Sequence, residues 1–198
     1  MVFGLLVASM FPTGIMADNS DSPELEDRIG DAKLFGIFGF LLQFPLKHVD
    51  IVSAWFHEDG NNPDYLYVSL ELRDLKEKTG TLEAIYVVGW SNDNHHFLTG
   101  LSVFPGGAGG RHVGVSMDED DVIDEYIVCD GTYDSENNII TWEVPKDVVG
   151  NPQPGDVLKD INPNTHLRYP YGYGLHRIDL FKDLSGNAKT TKDYTVQY

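Results

Sequence analysis

The clearest signal in the chain is strict alternation. Leu66, Val68, Leu70 and Leu72 are apolar, and Tyr65, Tyr67, Ser69, Glu71 and Arg73 interleave with them. A period of two turns successive side chains to opposite faces, so 65–73 predicts a strand with one face on a core and one toward water. Val49 to His57 reads as its partner, across Glu58-Asp59-Gly60-Asn61-Asn62-Pro63, a stretch dense in turn residues. The theme repeats with Leu82 to Trp90 and His95 to Phe104 around Ser91-Asn92-Asp93-Asn94. Arg111 to Met117, Ile123 to Cys129 and Asn138 to Val144 continue as strands, and Leu175 to Phe181 and Tyr194 to Tyr198 supply the last ones. Pro105 to Gly110 reads as a flexible glycine loop, and Pro145 to Gly150 as a single helical turn. The stretch after Gly150 reads as a long loop ending in Tyr169-Pro170-Tyr171-Gly172-Tyr173. About nine or ten strands at short, regular spacing predict an all-β fold: an antiparallel β-sandwich, jelly-roll-like, without a parallel α/β sheet.

Two apolar runs stand outside this pattern. Met1 to Ala17 carries no charge, and Val2 to Phe11 has the apolar core of a secretion signal, with the small Ala17 before Asp18 as the cut site. The run is broken by Pro12-Thr13-Gly14, short of the ~20 apolar residues a membrane span needs. No Lys or Arg precedes it, which departs from the usual signal. The organisation expected is therefore a signal peptide at 1–17, a flexible leader at 18–26 and one sandwich domain at 27–198. Lys33 to Leu46 is the second apolar run, interrupted by Gly36, Gly39 and Pro45, and fits a first strand or an adhesive segment.

Charge narrows the partners. With 31 acids against 14 Lys and Arg, the net charge is −17, and the proposed signal contributes none of it. Such a field repels nucleic acid and anionic membrane surfaces, and it favours divalent cations. The expected product is secreted or surface-bound, without nucleic-acid partners and not integral to a membrane. The single cysteine, Cys129, leaves no internal disulfide and lies in a strand-like run, as a buried structural thiol would.

Hard cations need several oxygen ligands, and Asp27, Asp31 and Asp50 can supply them if the first loop folds back on the strand start. The acids of Ser116 to Glu136 (Asp118, Glu119, Asp120, Asp121, Asp124, Glu125, Asp130, Asp134 and Glu136) read as a solvated loop, because Ile123 stands where an EF-hand requires glycine. His57, His95, His96 and His112 match no zinc spacing. No G-x-S-x-G elbow occurs, and Gly106 to Gly110 lacks the lysine and helix of a phosphate loop.

Several short motifs carry a resemblance. Asp27, Gly30, Asp31 and Ala32 form D-x-x-G-D-A; Asp50-Ile51 opens a strand; Val144 to Leu158 reads V-P-x-x-x-V-G-x-P-x-x-G-D-x-L; and Asp193-Tyr194-Thr195-Val196 closes the chain. Together these resemble secreted prokaryotic β-sandwich modules of the DOMON-like and family-9 carbohydrate-binding superfamily. The resemblance implies a jelly-roll-like sandwich, often with a structural Ca2+, and sugar or haem ligands in parts of the superfamily. The paired tryptophans of a sugar clamp and a Met/His haem pair are not identifiable in this chain.

Most of Trp55, Trp90, Trp142, Tyr86 and Tyr126 are expected to pack in the sandwich. Tyr169, Tyr171 and Tyr173, set among proline and glycine, are the expected ligand-binding rings. The function expected is a non-enzymatic surface module binding carbohydrate, such as a polysaccharide, or another small ligand. The alternative is a subunit of a cell-surface assembly that self-associates by adding the Lys33 to Leu46 segment or the leader to a neighbour's sheet. A metal-dependent enzyme is a third reading.

Overall fold

A computed structural model of the chain describes residues 20–34, 47–75, 82–93, 95–104, 107–116, 123–168, 179–184 and 190–198. Residues 1–17, expected to be a signal, most of the second apolar run, and Tyr169, Tyr171 and Tyr173 lie outside the described residues. The strands are β1 (Leu25–Glu26), β2 (Lys33–Leu34), β3 (Ile51–Asp59), β4 (Asn62–Leu72), β5 (Glu83–Asn92), β6 (His95–Phe104) and β7 (Gly107–Ser116). They continue as β8 (Ile123–Val128), β9 (Asp130–Asp134), β10 (Ile139–Pro145), β11 (Val157–Arg168), β12 (Asp179–Leu184), β13 (Thr190–Thr191) and β14 (Tyr194–Thr195). Two 3-10 turns, Lys47–Val49 and Lys146–Val149, are the helical pieces among the described residues. No helix there is long and apolar enough to cross a membrane.

The fold is all-β, as the alternation predicts. One sheet runs β13-β1-β3-β4-β10-β9 and the other β2-β12-β11-β5-β6-β7-β8, with β14 paired to the start of β11. Every pairing between described strands is antiparallel. The alternation in β4 decides which face is inside: Leu66, Val68, Leu70 and Leu72 are buried, opposite Phe56, Ala54, Val144, Trp142 and Ile140. Trp142 spans the sandwich. Its Nε1–H donates to the Gly100 carbonyl of the other sheet at 3.0 Å, which satisfies the one polar group of a fully buried indole. Thr165 of β11 ties its sheet to the 3-10 turn that precedes β3, donating to the Val49 carbonyl. Phe56 packs against Trp90 edge-on at 5.4 Å and against Tyr194 at 5.6 Å, so the core continues into the tail.

Four sequence expectations change. The β3–β4 hairpin is tighter than a six-residue loop, because Asp59 pairs with Asn62 and only Gly60 and Asn61 turn. Asp59 Oδ1 accepts from the Asn61 backbone and side-chain amides, both at 2.9 Å, which lets polar residues finish the strands. Gly107 to Gly110 are strand rather than loop: the backbone ladder of β7 with β6 needs no side chains. Residues 157–168 are the strand β11 and not a loop. Pro163 is tolerated there because it pairs with Val88 on one side and lies beyond the β12 pairing, which ends at Asn164. Leu25 and Glu26, assigned to the leader, form β1 between β3 and β13, with Leu25 buried in the core. The helical turn at 146–149 is present, and Gly150 ends it at φ 82 with its N–H on the Lys146 carbonyl.

Candidate ligand groove

The Gly30 corner is where the sequence placed a metal. Asp50, fully buried at the start of β3, accepts the Gly30 N–H on both carboxylate oxygens at 2.8 Å and an Arg73 guanidinium N–H at 3.2 Å. Asp27 is also buried; its Oδ1 accepts the Arg28 N–H at 2.8 Å and its own N–H donates to the Val52 carbonyl at 2.9 Å. The 27–31 loop thus folds back on β3, and Asp31 lies beside Gly30 in the same turn. Both Asp50 oxygens are engaged, and Arg73 brings a positive charge beside them. Among the described residues, no three His, Cys, Asp or Glu side chains are grouped to share a metal.

Among the described residues, a concavity lies at the end of the six-stranded sheet. It is a groove of about 490 Å³. The start of β4 gives Pro63, Asp64 and Tyr65; the end of β10 and its 3-10 turn give Pro145, Lys146 and Asp147. The far wall is Asn151 to Pro154, and Tyr198 closes the remaining side.

Local hydrogen bonds fix that far wall. Asn151 N–H donates to the Lys146 carbonyl at 2.7 Å, and Gln153 Nε2–H to the Asn151 carbonyl at 2.9 Å. Gln153 N–H donates to Asp156 Oδ2 at 2.7 Å, while Asp156 N–H returns to the Gln153 carbonyl at 2.9 Å. Two prolines, Pro152 and Pro154, and these closed turns leave the loop little freedom to lose on binding.

Tyr198 is placed by a buried ion pair. Glu58, at the end of β3 with a fully buried side chain, receives Lys146 Nζ on Oε1. Its Oε2 accepts the Tyr194 hydroxyl at 2.9 Å and the Gln197 N–H at 2.6 Å; Tyr198 N–H reaches Oε1 at 3.4 Å. Lys146 Nζ also donates to the Tyr198 carbonyl. Gly155 and Val196 add backbone bonds, both 2.9 Å, that lay the tail beside β11. Gly60 leaves the Tyr198 ring its place, since a Cβ there would sit 3.3 Å from it. A buried carboxylate is tolerable only when its lone pairs are met, and here a cation, a hydroxyl and two amides meet them.

Elsewhere, His57 stacks on Tyr67 at 4.8 Å with 12° between rings. Burial pushes its pKa below the usual imidazole value, against an opposing pull from Asp59. His95 and His96 are exposed. Trp55, Trp90, Trp142 and Tyr86 are buried, whereas Tyr126 is exposed. Cys129 is buried, as expected of a structural thiol.

Sequence reasoning passed over Glu58, Lys146, Tyr65 and Tyr198. A signal was present, because Lys146 and Asn151 to Pro154 lie inside the V-P-x-x-x-V-G-x-P-x-x-G-D-x-L motif and Tyr194 inside D-Y-T-V. Those motifs are turn chemistry, and the turns they make are the groove wall and its clasp. No family model, curated protein or solved structure matches the chain.

Proposed function

We propose that this is an exported, non-enzymatic sandwich module that binds a hydroxyl-rich, uncharged ligand, a carbohydrate, in the groove between Tyr65 and Tyr198. One observation carries the reading: Tyr65 and Tyr198 both line a cleft whose polar members include Asp64, Asp147, Asn151 and Gln153, with the Asn151 to Pro154 wall held by its own hydrogen bonds. Rings offer flat apolar faces to the C–H faces of a sugar, and carboxylates and amides exchange paired hydrogen bonds with its hydroxyls. The groove's amine, Lys146, is already tied to Glu58 and the tail, which leaves the cleft acidic and hostile to anions. The uncharged apolar start of the chain supports export.

Titration calorimetry against neutral oligosaccharides tests this. Tyr65→Ala and Tyr198→Ala should each weaken binding about tenfold, the scale of one lost ring contact of ~1.4 kcal/mol. Unchanged affinity in both variants would refute it.

A second reading, self-assembly through sheet edges, is favoured by β8. It is the terminal strand of the larger sheet, and it exposes Val128 at 83 % and Tyr126 at 57 % on one side. Sedimentation of the wild type and Val128→Lys tests it: association lost in the variant supports it, and a monomeric wild type at high concentration removes it.

A further inference from the structure

We infer that the ligand is an extended, unbranched, uncharged polymer that leaves the groove along the outer face of β4, instead of a single small molecule held in the cleft. The inference rests on the binding reading above and adds to it the form of the ligand.

Register places the rings. Directly opposed residues of an antiparallel pair share a face, and the buried pairs Leu66–Val144 and Val68–Trp142 define the inner one. Tyr65–Pro145 and Tyr67–Glu143 therefore share the outer face, and His57 joins the second row opposite Tyr67. Tyr65 both lines the groove and heads this outer row, so cleft and face are continuous. Two residues along a strand advance roughly 7 Å, which sets Tyr67 one ring-step beyond Tyr65.

The Tyr67 ring is held on both sides. It stacks on His57 at 4.8 Å, and its hydroxyl accepts from Asn62 Nδ2 at 3.0 Å. It stays half-buried, with a part of its surface open. One step further the chemistry ends: Trp55 is only 6 % exposed, and Ser69 is buried with its hydroxyl on Thr141 at 3.0 Å. The footprint is thus the groove plus one ringed row, aligned along β4. A linear chain can follow that line in extended form, while a single small ligand would leave the Tyr67 row unused. Glu143 opposite Tyr67, and Asp64 and Asp147 in the groove, put carboxylates along the route and disfavour anionic polymers.

The test is a set of affinities for neutral, linear β-linked oligosaccharides of glucose, mannose and N-acetylglucosamine, each as disaccharide and hexasaccharide, with a polygalacturonate fragment as the anionic probe. For the sugar that binds, the hexasaccharide should bind about tenfold tighter than the disaccharide. Tyr67→Ala should erase that gain and leave the disaccharide unchanged, Tyr67→Phe should keep it, and Tyr65→Ala should weaken both lengths. Equal affinity for both lengths in the wild type, or a gain that survives Tyr67→Ala in a protein of unchanged melting temperature, overturns the polymer inference and leaves groove binding intact. Tight binding of the galacturonate fragment overturns the uncharged character. No binding of any neutral sugar at either length overturns the groove reading itself, and this inference with it.

Discussion

Removing the carboxylate of Glu58 should unfasten the tail and cost the fold several kilocalories. Its side chain is fully buried, and that of Lys146 is only 5 % exposed. Glu58→Ala leaves the Lys146 ammonium in the interior with the Tyr198 carbonyl, and it strips the Tyr194 hydroxyl and Gln197 amide of their acceptor. Breaking a buried pair by deleting one partner costs about 3–5 kcal/mol, because an uncompensated charge remains. The lost hydrogen bonds fall within that figure, since they share one acceptor and do not add. In a chain of this size the loss lowers the melting temperature by roughly 6–20 °C. Urea unfolding measures it: the midpoint should fall with the slope unchanged. Replacing both partners, Glu58→Leu with Lys146→Met, should be less damaging than either single change, because no charge is stranded. Amide exchange at Gln197 and Tyr198 should accelerate in Glu58→Ala. A loss under about 1 kcal/mol, the range of exposed pairs, would refute the reasoning.

Trp142→Phe removes the donor to Gly100 and part of a fully buried ring, and it should cost about 2–4 kcal/mol by denaturant titration. Gly131→Ala places a Cβ 2.0 Å from the Thr141 carbonyl oxygen at φ 149, so it should cost more than about 1 kcal/mol and weaken exchange protection along β9 and β10. His57 has a folded-state pKa below the ordinary value of 6.5, so the unfolded chain binds its proton first as pH falls. The stability it contributes is full above 6.5 and is lost as pH drops from there toward the folded pKa. His57→Gln should flatten this part of the stability–pH curve, and an identical slope in wild type and variant would contradict it.

The strand alternation of β4 was legible because burial on one face and water on the other write directly into a period of two. Its partner β10 and the hairpin β5–β6 were legible for the same reason. Strand β11 was not: Asn162, Pro163 and Asn164 read as loop, and only pairing with β5 and a bulge near Asp160 makes them strand. The glycines of β7 hid in the same way, since a ladder formed by backbone leaves no trace in side-chain pattern. The candidate site was illegible in its essential contact, because Glu58 and Lys146 stand 88 positions apart and the motif that holds Lys146 specifies a turn without its partner. Asp50, by contrast, stands in the sequence grouping with the 27–31 loop, and its carboxylate does accept the Gly30 N–H of that loop and an Arg73 N–H.

The chain passes from β8, at the edge of one sheet, to β9, at the edge of the other, through Cys129 alone. That residue is therefore the seam where the two layers are sewn along one side, and it is the sole thiol in the molecule. Its buried sulfur meets a thiol reagent only when the structure opens there. The rate of labelling is thus a clock for the opening of the sandwich, built into the native sequence and readable without any added probe.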